Sequence, residues 1–61
     1  MMPAVKEFLN SKPPLVPLSH LHTITGGPAN EGGDYERAQR WLATNGYIFS
    51  AQAEGWVYVG R

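Results

Sequence analysis

Leu18-Ser19-His20-Leu21-His22-Thr23-Ile24-Thr25 is the stretch on which the fold turns. As a strand it alternates Leu18, His20, His22 and Ile24 against Ser19, Leu21, Thr23 and Thr25. Its Thr-Ile-Thr ending favours extended backbone, because β-branched side chains fit a pleated surface. As a helix it sets Leu18, Leu21 and Thr25 on one side, with the β-branched residues less well accommodated. The strand is the preferred reading, and it makes the chain a β-α-β-β domain.

The segments after Thr25 leave less choice. Gly26 to Gly33, Gly-Gly-Pro-Ala-Asn-Glu-Gly-Gly, is a loop. Asp34 is placed to cap a helix, its carboxylate accepting N–H groups of the first turn. Tyr35, Ala38, Trp41 and Leu42 recur at helical spacing and form one apolar face. Glu36 and Arg40 stand four apart in the favourable order. Asn45-Gly46 ends the helix, so its expected span is 34–45.

Tyr47 to Gln52 and Trp56 to Gly60 are rich in aromatic and β-branched residues and predict a hairpin over 47–60. Ala53-Glu54-Gly55 fits a three-residue loop with glycine in the bulge position. That register pairs Ala51 with Val57 and Phe49 with Val59. Phe49, Ala51, Val57 and Val59 then share one face with Tyr47, and Ile48, Ser50, Trp56 and Tyr58 share the other. A one-residue slip would regroup the pairs.

Working back from Leu18, Pro13, Pro14 and Pro17 impose an extended connector on 11–17. Pro14-Leu15-Val16-Pro17 is formally a PxxP string, but it lacks a well-placed basic neighbour and reads as a rigid linker. Pro3 to Asn10 predicts a short helix, with proline in its first turn and Val5, Phe8 and Leu9 on one face. Two turns do not persist alone in water, so this helix must dock on something. The expected organisation is therefore one domain over 1–61. Residues 1–17 form an N-terminal helical arm and Pro-rich connector, and 18–61 form an α+β core. That core is a three-stranded antiparallel sheet with one helix packed on it.

A chain of 61 residues rarely draws more than about 3–5 kcal/mol from a single core. Such chains often add disulfides, a metal or a partner chain. There is no cysteine here, which removes disulfides and thiolate metal sites. No long apolar run could span a bilayer and no signal-peptide core is present, so a cytoplasmic protein without membrane contact is expected. Five basic and five acidic side chains cancel. Nonspecific nucleic-acid binding rests on neutralising phosphates, so nucleic acid is an open but unfavoured partner.

If Phe49, Ala51, Val57 and Val59 pack on the helix, then Ile48, Trp56 and Tyr58 form an apolar patch on the other side. Small monomers seldom leave such a patch in water, and Trp and Tyr are frequent binding anchors. The N-terminal arm, a second copy of the chain or another protein would cover it. Arg37 and Arg40, three apart on the exposed side of the helix, are further contact candidates. His20 and His22 on one strand face are weak metal candidates that lack a third ligand among nearby residues. Gly27 and Gly32 have the outer spacing of a phosphate-binding loop, but Gly33 and Asp34 stand where Lys and Ser or Thr belong. No base sits beside a nucleophile in sequence, so catalytic residues and cofactors are not expected.

The run Arg37-Ala-Gln-Arg-Trp-Leu-Ala-Thr-Asn-Gly-Tyr-Ile48, followed by a hairpin, resembles the recognition helix and wing of winged-helix DNA-binding proteins. The likeness covers 34–61. It implies that Val5–Asn10 and Leu18–Thr25 are two earlier helices, and that Arg37 and Arg40 meet DNA. The wing tip carries Glu54 and no Lys or Arg, unlike the usual basic wing of that family. The first expectation is thus a non-enzymatic protein-binding module, an inhibitor or regulator of the kind phages often encode, acting by occupying a partner's surface. The alternative is a winged-helix DNA-binding regulator. A strand at 18–25 favours the first, and a helix there favours the second.

Overall fold

The computed structural model describes residues 1–29 and 32–60. The middle of the Gly26–Gly33 loop and Arg61 lie outside the described residues. The elements in order are α1 (Pro3–Asn10), β1 (Leu15–Pro17), α2 (Leu18–Thr25), α3 (Tyr35–Thr44), β2 (Tyr47–Ser50) and β3 (Gly55–Tyr58). It is a small α+β domain with a three-stranded antiparallel sheet in the order β1-β3-β2.

The expected strand at Leu18–Thr25 is a helix. Packing overrides the β-branched preference, since Leu21 is fully buried and Thr25 nearly so. Both threonine hydroxyls bond back along the helix, Thr25 Oγ1 to Leu21 O at 2.7 Å and Thr23 Oγ1 to Ser19 O at 3.0 Å. That gives each hydroxyl an acceptor within the helix. Gly26 then stops it in the left-handed conformation, φ +86°, donating its N–H to His22 O. The first strand comes instead from Leu15–Pro17, inside the expected connector, and pairs with β3. Two helices therefore precede α3 and the hairpin, as the winged-helix resemblance implies.

The N-terminal helix is not an arm laid on a finished core. Val5 and Leu9 are fully buried with Val16, Leu21, Ala38 and Leu42, and Tyr47 closes the cluster. Burying a side chain of the Val or Leu type is worth about 1.5–3 kcal/mol, so α1 supplies a large share of a small total. Lys12 fixes its exit. This residue takes φ +55°, a conformation usually left to glycine. Its ammonium lies 5.6 Å from the Trp41 ring and 5.5 Å from the Tyr58 ring, a doubled cation–π contact.

α3 runs as expected, with Ala38 and Leu42 buried and Tyr35 and Trp41 packed against the core. Asp34 sits at its N-cap position, but its carboxylate does not bond the first turn. It is 6% exposed and accepts the backbone N–H of Met2 at 2.7 Å, which ties the start of the chain to the start of α3. Among the described residues the ion pair on this helix is Arg37 with Asp34, at 3.9 Å, and not Glu36 with Arg40. Gly46 turns the chain into β2 at φ +91°. A Cβ there would stand 2.8 Å from Gly60 O, so glycine is required on both counts.

The hairpin forms in a different register from the expected one. Tyr47 pairs with Tyr58, Ile48 with Val57, Phe49 with Trp56 and Ser50 with Gly55. The loop is Ala51-Gln52-Ala53-Glu54, and Glu54 itself takes the positive φ, +54°. Gly55 is not a turn residue. It is buried in the ladder, where a Cβ would lie 2.5 Å from Val16 O.

Candidate functional site

Residues directly opposite in an antiparallel ladder share a face, and neighbours along a strand alternate. Leu15 pairs with Val57 and Val57 with Ile48, so these three form a row across the whole sheet. Val59, one residue past β3 and donating to Gly46 O, continues their alternation. Val16, Trp56 and Phe49 form the adjacent row on the helix side, beside Tyr47 and Tyr58. The helix side is the core side, as the full burial of Val16 and Tyr47's 3% exposure require.

The outer row stands in solvent. Leu15 is 41% exposed, Ile48 55% and Val59 54%, with Val57 half-buried between its neighbours. The remaining outer positions are Pro17, Gly55 and Ser50, so no charged side chain interrupts the face. Sequence reasoning named Ile48 and missed Leu15, Val57 and Val59. Its Ile48–Trp56–Tyr58 patch does not exist as one surface. Trp56 and Tyr58 lie on the helix side, and Phe49, Val57 and Val59, expected as core, are exposed or half-buried.

The helix-side aromatic residues pack on one another. Tyr58 and Tyr47 rings lie 5.0 Å apart, and the Tyr47 hydroxyl donates to Pro13 O at 2.6 Å. Burial, and secondly the nearby Tyr58, raise the Tyr47 phenol above its ordinary value. Trp56 meets Phe49 edge-on at 5.7 Å, and its indole N–H is buried without a hydrogen-bond partner.

The exposed positions of α3 and of the hairpin loop are the remaining candidates. Glu36, Arg37, Arg40, Ala43 and Thr44 are exposed on the helix, and Ala51 to Glu54 are exposed in the loop. Arg37 and Arg40 thus share α3 with the exposed Glu36. Arg37 is further offset by Asp34.

His20 and His22 do not share a face, because positions two apart on a helix diverge. His20 packs on Phe8 at 4.7 Å between centroids, while His22 meets the Tyr35 ring edge-on and its Nε2 lies 3.2 Å from the Tyr35 hydroxyl. Among the described residues no group of three His, Cys, Asp or Glu side chains is placed to hold a metal ion. The Gly27–Asp34 stretch ends in Asp34, a buried residue at the N-cap position whose negative charge opposes an anion there. A groove of about 390 Å³ lies at the root of the hairpin loop, lined by Leu18, Ser19, Phe49, Ala51, Ala53 and Glu54, with Pro17 at its end. It holds no paired acid and base. Among the described residues no helix is long and apolar enough to cross a membrane. Comparison with known proteins finds no family model, no curated relative and no solved structure that matches this chain.

Proposed function

We propose that the chain is a non-enzymatic protein-binding module, a small regulator or inhibitor, that lays the outer face of its sheet against a partner protein. The observation that carries this reading is the exposed, uncharged row Leu15–Val57–Ile48 with Val59 beside it. Apolar patches of this kind on small domains mark interaction sites, and charge depletion at the centre is the compositional sign of an interface. The absence of cysteine suits a cytoplasmic setting for such a protein. The test is affinity capture from the native host with three baits: wild type, Ile48→Lys, and the Arg37→Ala/Arg40→Ala pair. A partner held by wild type and by the arginine variant but lost by Ile48→Lys supports the reading. A partner held equally by a folded Ile48→Lys variant sinks it.

The helix at Leu18–Thr25 supports a second reading, a winged-helix DNA-binding regulator with Arg37 and Arg40 on the exposed side of α3. Two phosphate contacts predict a log–log salt slope of about −2 for duplex binding. Titration of duplex DNA at low salt decides it. Salt-sensitive binding that disappears in Arg37→Ala/Arg40→Ala supports this reading, and no binding to any duplex ends it.

A further inference from the structure

Lys12 ends the turn that leaves α1, and it holds a left-handed backbone that side-chain-bearing residues rarely adopt. The residue is exposed. Its ammonium nevertheless lies over two rings, 5.6 Å from the Trp41 centroid and 5.5 Å from the Tyr58 centroid. A third ring backs the pair, since Tyr47 lies 6.4 Å from Trp41 and 5.0 Å from Tyr58. These rings come from α3, β2 and β3, and each is fixed without help from the lysine side chain. Trp41 packs against the core. The Tyr47 hydroxyl donates to Pro13 O at 2.6 Å, and the Tyr58 backbone N–H donates to Pro14 O at 3.0 Å.

What this seat lacks decides what it suits. A primary ammonium carries three N–H donors. Among the described residues no carboxylate pairs with Lys12, and no oxygen accepts a hydrogen bond from its ammonium. Water must supply all three acceptors, and a lysine ammonium is strongly hydrated. A quaternary ammonium has no N–H to satisfy and meets a ring face with its methyl groups. Aromatic walls without an acceptor therefore fit a fully methylated cation better than they fit the lysine seated on them.

We propose that Trp41 and Tyr58, with Tyr47 behind them, form a recognition site for a quaternary ammonium group, and that Lys12 is its built-in competitor. The ligand's cation takes the seat as the Lys12 ammonium swings out into water. The chemistry recognised is a trimethylammonium head, carried by a small molecule such as choline or by a trimethylated lysine side chain. Two exposed cation–π contacts correspond to a preference of about 5- to 30-fold for the seated lysine. Removing Lys12 is expected to tighten ligand binding by that factor, because the seat is then always open. The site stands apart from the outer-face reading, since Trp41, Tyr47 and Tyr58 belong to the helix side and Leu15, Ile48 and Val59 take no part.

NMR titration of the full chain with tetramethylammonium chloride, against sodium chloride at equal ionic strength, is the test. Wild type is expected to bind weakly, with shifts centred on the Trp41 and Tyr58 rings. Lys12→Asn is neutral and tolerates the left-handed backbone; it is expected to bind more tightly by the factor above. Tyr58→Leu, at a position 38% exposed, is expected to stay folded and to lose binding. Should Lys12→Asn fail to fold, wild type alone decides: the ring-current shift on the Lys12 Cε protons must fade with tetramethylammonium and not with sodium. Choline and a trimethyl-lysine peptide, titrated in parallel, separate the two sources, and tighter binding of either supports the site. Equal shifts with sodium and tetramethylammonium overturn the inference. So does equal affinity in wild type and a folded Lys12→Asn variant, or binding that survives in a folded Tyr58→Leu variant.

Discussion

Gly55→Ala is the substitution whose outcome is tied most directly to the geometry. The added methyl would stand 2.5 Å from Val16 O, 2.7 Å from Pro17 Cα and 3.0 Å from Val16 C. All three are backbone atoms, so no side chain can swing aside. Comfortable contact begins near 3.5 Å, so β1 must retreat from β3 by about 1 Å. Overpacking costs about 1–3 kcal/mol, and a clash with backbone alone belongs at the upper end. Against the roughly 3–5 kcal/mol such a core provides, most of the stability goes. At about 4–8 °C per kcal/mol for a domain of this size, a loss near 3 kcal/mol lowers Tm by about 12–24 °C. Thermal unfolding by circular dichroism measures the shift. Amide exchange locates it, because the Leu18 and Tyr58 N–H groups bridge β1 and β3 on either side of the clash. Gly27→Ala is the control, since it has open space around it and pays only for φ +85°. A fall of less than about 5 °C in Gly55→Ala, or unchanged exchange at Leu18 and Tyr58, refutes the reasoning.

Two further predictions concern the core. Leu9→Ala deletes a fully buried side chain at a cost of about 2–5 kcal/mol, comparable to the whole stability. The variant is expected to be largely unfolded at room temperature by circular dichroism, and a Tm near that of wild type would mean that α1 is dispensable after all. Tyr47 gives a pH dependence of definite sign. Its folded value lies above the model-compound 10.0, so the unfolded chain releases the proton first. The contribution is intact below pH 10 and is lost as pH rises through the folded value. Urea titrations between about pH 9 and about pH 12 are expected to show falling stability in wild type and a shallower fall in Tyr47→Phe; equal slopes would contradict the assignment.

The helix over 34–45 was legible because its apolar spacing, its glycine stop and its burial all point the same way. The helix over 3–10 was legible for the same reason. The hairpin's existence was legible but its register was not, and the cause is one residue. Gly55 looks like the turn glycine, whereas Glu54 takes the positive φ and Gly55 is glycine because β1 passes too close for a Cβ. That constraint comes from residues about forty positions away, and no local pattern announces it. The register error moved Trp56 and Tyr58 to the wrong face and hid Val57 and Val59 as surface. β1 escaped notice because Leu15–Pro17 is short and sits among prolines. Leu18–Thr25 misled because its strand propensity is real locally, and only the docking of Leu21 and Thr25 outweighs it.

The strand order β1-β3-β2 also has a consequence for synthesis. The central strand is the one made last. While the ribosome is still translating residues before Gly55, β1 has no neighbour to pair with and β2 has only its own loop. The helices can gather Val5, Leu9, Leu21, Ala38 and Leu42, but Val16 and Tyr47 complete that core from strands that are not yet paired. The sheet is completed only once Gly55–Tyr58 has emerged and can pair with both β1 and β2. Until then the uncharged Tyr47–Ala53 segment is open on both sides, and chains crowded on one message are most exposed to one another at that stage.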